Sequence, residues 1–201
     1  MKKSTAIAGS SIALAVTLAL GGCAAADGSM PGMPGMSESE MSETTAEFNA
    51  ADEMFVTMMI PHHEQAIEMS NVLLSKPDPD PRVAELAQRI KDAQGPEIET
   101  MKEWLDNWGV GYDASMSGMD MGDMGSMGMT AEDMEALESA TGPEADRLFL
   151  EQMIVHHQGA IDMAETALDS GQNADVLDLA NQIIADQTAE IAEIEELLTE
   201  L

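Results

Sequence analysis

A chain of 201 residues has room for one domain or two small ones, and this one carries 38 acidic against 8 basic side chains, a formal charge of −30. That balance excludes nucleic-acid binding, which needs a basic surface, and suits a solvated exported protein or the attraction of cations. A single Cys excludes an intrachain disulfide and a multi-thiolate metal site, while 19 Met, four His and only 3 % aromatics turn attention to thioethers and imidazoles.

In chain order, residues 1–23 read as an export signal. Lys2 and Lys3 form its positive start, and the apolar stretch Ile12 to Leu20 is too short to span a bilayer. Leu20-Gly21-Gly22-Cys23 resembles a bacterial lipobox, which implies cleavage before Cys23, lipid on its thiol, and anchoring on the extracytoplasmic face of the membrane. Residues 24–43, rich in Gly, Ser, Pro, Met and acid, read as a flexible tether.

Residues 44–109 are predicted to form a helical hairpin. Thr44 with Glu47 reads as a capping box, and apolar residues recur at three-four spacing from Phe48 to Leu74. Three prolines between Lys76 and Pro81 force a turn. A second helix runs from about Arg82 to Trp108 and ends at Gly109. Pro61 and Gly95-Pro96 lie inside these helices, where kinks are expected. Residues 110–129 form a Met-rich linker too dense in Gly for a core. In residues 130–201, Thr130 with Asp133 caps a short helix to about Ala140. Pro143 opens a long helix to about Asp169, and a last helix spans about Ala174 to Glu200.

The second hairpin repeats the first. Between Phe55–Met69 and Phe149–Met163, eight of fifteen positions are identical, and Leu86-Ala87, Gln94 and Glu97-Ile98 match Leu179-Ala180, Gln187 and Glu190-Ile191. One hairpin buries only one side of each helix, so two are expected to pack as an all-α four-helix bundle.

All four histidines fall in the two matched pairs, His62-His63 and His156-His157. Helical spacing puts Met59, His62, Ala66 and Met69 on one stripe, and Met153, His156, Ala160 and Met163 on its repeat. If these helices face each other, Met59, His62, His63, Met69, Met153, His156, His157 and Met163 form one metal site. Soft, uncharged thioethers with imidazoles favour copper as Cu(I), with Ag(I) as a mimic, over hard cations. Gln94 and Gln187, on the apolar stripes of the second helices, are expected to hydrogen-bond the histidine rings. Met116, Met119, Met121, Met124, Met127 and Met129 are candidate auxiliary ligands, because exposed thioethers gain nothing from solvent.

The run Asp146 to Ala164 closely resembles the signature of the domain of unknown function 305 family. Met59 to Met69 resembles it less fully, with Gln65 where the signature has Gly. The resemblance covers about residues 45–201. It implies a ferritin-like bundle, export, and copper binding and tolerance, with the ligands at the Met and His positions named above.

Two other readings remain open. A ferritin-like di-iron oxidoreductase needs Glu-x-x-His pairs, and the residues three before His62 and His156 are Met59 and Met153. A surface interaction module would carry the histidines as structural residues. The sequence reading favours a lipid-anchored copper carrier that is not an enzyme, with copper ions and the membrane as its partners and a delivery protein unspecified.

Overall fold

The computed structural model describes residues 47–112 and 128–201, which are helical with no strand among them. The export signal, Cys23, the tether, Thr44 and the linker methionines from Met116 to Met127 lie outside those residues. Five helices follow in order: α1 (Ala50–Leu74), α2 (Pro81–Trp108), α3 (Ala131–Ser139), α4 (Pro143–Ser170) and α5 (Ala174–Glu200). Helix α1 packs along α2, α4 packs along α5, and the two hairpins join through α1 and α4, with α3 laid against both. The four long helices are the expected bundle. Among the described residues no helix is long and apolar enough to cross a membrane.

The helix ends follow local chemistry. Pro81 and Pro143 occupy first-turn positions, where a missing N–H costs nothing. Gly109 closes α2 in the left-handed region at φ 71°. Thr130 and Asp133 form the expected capping box of α3. At α1 the expectation is corrected: the cap is Asn49 with Asp52, and Glu47 lies outside the helix. Pro61 and Pro96, where kinks are expected, sit within continuous helix.

Asp52 fixes that cap because its carboxylate does more than reach the Asn49 N–H. Fully buried, it also accepts the backbone N–H groups of Gln172 and Asn173 in the α4–α5 turn, at 3.1–3.3 Å. Its repeat counterpart Asp146 accepts the Asp80 N–H in the α1–α2 turn at 3.1 Å. Each hairpin therefore ties its first helix to the turn of the other, and α1 and α4 run antiparallel. The approach is close. A Cβ on Gly171 would sit 2.6 Å from the Asp52 carboxylate, so this turn requires glycine. Replacing Asp52 by Ala takes the acceptor from those turn donors, of which Asn173 is buried, and should cost about 2–4 kcal/mol. Asp146→Ala, which takes it from one, should cost less. Urea midpoints of the two variants check the order.

The core divides about the middle of α1 and α4. One half gathers Phe55, Met59, Met101, Met163 and Ile183, with Phe48 stacked on Trp108 beyond it at 4.3 Å. The other gathers Met69, Leu86, Phe149, Met153 and Ile194. Met129 corrects the linker reading. It is 4 % exposed and belongs to this second half. Gln65 holds it there, donating to its carbonyl at 2.9 Å and accepting its N–H at 2.8 Å. The amide that replaces the signature glycine thus ties the end of the Met-rich segment to α1.

Candidate metal centre

The histidines sit where the halves of the core meet. His62, His63, His156 and His157 are all fully buried. The rings of His62 and His156 face each other across the α1–α4 seam with centroids 3.7 Å apart. His63 and His157 lie outward along each helix, 6.4 and 6.3 Å from their neighbours. Met59 and Met163 occupy the core on one side of the ring pair, Met69 and Met153 the core on the other. The antiparallel helices make this arrangement: the low-numbered Met of each stripe meets the high-numbered Met of the other.

The hydrogen bonds define which nitrogens are free. His63 Nε2 lies 2.8 Å from the Glu97 carboxylate and His157 Nε2 lies 2.7 Å from Glu190. His156 Nε2 lies 3.0 Å from the His62 carbonyl. Carbonyl and carboxylate oxygens accept, so each Nε2 carries the proton and donates. In the neutral ring Nδ1 then holds a lone pair. The Nδ1 atoms of His63, His156 and His157 are buried and have no hydrogen-bond partner among the described residues. A buried acceptor left this way costs about 1–3 kcal/mol, which a bound cation removes. Burial holds the His156 imidazole well below its ordinary pKa, and the His62, His157 and His63 rings push the same way, so it stays neutral with the Nδ1 lone pair unprotonated.

The predicted partners of the rings are corrected. Gln94 and Gln187 are each 3 % exposed, but neither bonds a histidine; the Gln94 amide has no partner among the described residues. Glu97 and Glu190, one turn further along α2 and α5, take that place. A carboxylate suits it better, since it accepts without offering a competing N–H and raises the basicity of the ring. The repeat match of Glu97 with Glu190 was the available signal. Among the described residues no three side chains of the His, Cys, Asp and Glu types converge as a metal site. The buried side chains of Met59, Met69, Met153 and Met163 belong to the core on either side.

Fold and site define a class: a helical bundle whose two repeat-related inner helices carry paired histidines between methionines. The chain belongs to the DUF305 family, a domain of unknown function whose model matches residues 21–75 and 52–198. It is similar to a DUF305 fragment of Deinococcus radiodurans, at 28 % identity and TM-score 0.69 over 76 % of this chain and 98 % of that one. A DUF305 protein of Streptomyces coelicolor is 32 % identical, with TM-score 0.67 over 75 % and 93 %. CopM in its Cu(II)-bound form is 36 % identical, with TM-score 0.65 over 74 % and 96 %, and CopM is also solved in Cu(I)-bound, Ag-bound and apo forms. No curated protein matches the chain.

Proposed function

We propose that this protein is exported, is anchored by lipid at Cys23, and binds copper as Cu(I) in the core of its bundle, to sequester it or pass it on. It does no chemistry on a substrate. The observation that carries this reading is the set of buried Nδ1 lone pairs on His63, His156 and His157, lying between two pairs of buried methionines. Soft sulfur with neutral nitrogen matches Cu(I), whereas iron in a carboxylate centre needs oxygen ligands that Met59 and Met153 replace. The likeness to CopM, solved with Cu(I), Cu(II) and Ag bound, supports the same choice of metal.

Equilibrium dialysis against Cu(I) and against Fe(II) under anaerobic conditions tests the reading. Tight Cu(I) retention without Fe(II) is expected. Fe(II) retention favours the oxidoreductase, and retention of neither favours an interaction module with structural histidines.

The linker methionines form a second, weaker store in this reading, reduced to five now that Met129 is placed in the core. Changing Met116, Met119, Met121, Met124 and Met127 to Leu should remove weak Cu(I) capacity that persists near pH 5, because thioethers carry no proton. The tight neutral-pH site should remain. Equal ion counts for variant and parent at both pH values would leave the segment a spacer.

A further inference from the structure

The pseudo-two-fold relating the hairpins is broken where α2 meets α5. Helices α2 and α5 cross the outside of the bundle antiparallel to each other. At one end of their seam Arg82 pairs with Glu200 and Arg89 with Glu193. The offset that takes Leu86 to Leu179 takes Arg82 to Asp175 and Arg89 to Gln182; its reverse takes Glu193 to Thr100 and Glu200 to Asn107. None of the four residues at the other end can make the ion pair. There the helices leave a cavity of about 390 Å³, lined among others by Glu97, Thr100, Trp104, Asp175, Asp178 and Gln182. Leu86 is fully buried beside the closed end, while its counterpart Leu179 is only partly buried and lines the cavity.

This cavity reaches the donor set through one side chain. Glu97 is part of its wall, and the same carboxylate holds the Nε2 of buried His63, whose Nδ1 has no partner among the described residues. Glu190 holds His157 in the same way, and the two carboxylates are similarly exposed, at 15 % and 20 %. Charge and shape separate them. Near Glu190, Glu193 is one turn along and carries the Arg89 guanidinium, which repels a cation. The cavity beside Glu97 is lined by Asp175 and Asp178 and by no basic side chain.

We propose that this cavity is the passage by which Cu(I) reaches and leaves the buried site, while the Arg-clasped end stays shut. The inference rests on the copper reading above. The cavity is a path and not a further binding site. Carboxylate oxygens attract the cation but hold a soft ion weakly, so Cu(I) collected by Asp175, Asp178 and Glu97 moves on to nitrogen and sulfur. Glu97, touching both the cavity and His63, is where the change of ligand takes place. No electron or proton need be exchanged with another reagent.

The test uses the full chain and Cu(I) supplied anaerobically as its bicinchoninate complex, with transfer followed by the loss of that complex's visible absorbance. Thr100→Glu with Gln182→Arg writes the missing clasp into the open end. Gln182→Trp fills the cavity without an ion pair. These positions are on the surface, and circular dichroism checks that the helices persist. Either variant should slow loading and release by about tenfold and leave equilibrium affinity unchanged. Asp175→Asn with Asp178→Asn, which leaves the cavity open, should slow loading and flatten its dependence on salt. Both closing variants loading at the parental rate would overturn the proposal while the copper reading stands. A parent chain that takes no Cu(I) at all removes the copper reading and the passage with it.

Discussion

Replacing His62 and His156 together by Ala lowers Cu(I) affinity by about a hundredfold or more, roughly 3 kcal/mol, and leaves the chain helical. The two rings form the contact across the seam, 3.7 Å apart, and His156 offers a buried Nδ1. Removing both takes away the two rings that meet across the α1–α4 seam, while Met59 and Met163 lie in one half of the core and Met69 and Met153 in the other. The fold has a cavity to absorb, at about 1–3 kcal/mol, but no ring is left facing a lost partner. The turn locks at Asp52 and Asp146 lie far from the change and still tie the hairpins together. Competition with a Cu(I) chelator measures the affinity, and circular dichroism the helices. A folded double variant with parental affinity would place the copper elsewhere.

Acid destabilises the copper-free protein, and bound Cu(I) suppresses the effect. His156 is buried with its pKa driven well below the ordinary value, first by desolvation and then by the neighbouring rings. In the unfolded chain it titrates near about 6.5. Above that pH both states are neutral and the group contributes no dependence. Below it the unfolded chain takes up a proton that the folded chain refuses, so stability falls as pH falls, by about 1.4 kcal/mol per pH unit for this one group. The loss continues until the folded pKa is reached. A cation on the histidine lone pairs adds binding energy that only the folded state enjoys. Urea midpoints between pH 7.5 and 5 should fall for the copper-free chain and hold better for the loaded one. A His156→Phe variant should show a flatter profile. Identical slopes in parent and variant would remove His156 as the source.

The same burial sets how Cu(I) binding responds to acid. An unperturbed imidazole would lose Cu(I) as pH drops through about 6.5; His156 resists protonation further, so its share of binding persists to lower pH.

Much of the architecture could be read directly from residue patterns. Three-four spacing, the proline turn after Lys76, Pro143 at a first-turn position and the Phe55/Phe149 repeat act locally, and local signals survive in sequence. The His pairs were legible for the same reason: the repeat marks them twice. What local patterns do not carry depends on contacts between distant segments. Asn49 replaces Thr44 as the cap because Asp52 is held by a turn 120 residues away. Met129 looks like linker by composition, and its place in the core comes with the Gln65 amide, 64 residues distant, and the apolar cluster it joins. Gln94 and Gln187 lie on the apolar stripes of α2 and α5. Stripe position says which face a residue occupies but not which side chain reaches across, and Glu97 and Glu190 reach from the stripe's edge. The broken symmetry of the α2–α5 seam was present in the repeat alignment. It acquires meaning only once Arg82 and Arg89 are seen to bridge to Glu200 and Glu193.

The central proposal is that Cu(I) binds at the α1–α4 seam with sulfur and nitrogen in its coordination shell. X-ray absorption at the copper edge tests it most directly, on a chain whose five linker methionines are changed to Leu and which is loaded with one equivalent of Cu(I). Scattering from thioether sulfur together with imidazole nitrogen is expected, with the nitrogen signal reduced in the His62→Ala, His156→Ala chain. A shell of oxygen or nitrogen alone, or one unchanged by loss of those histidines, would contradict it.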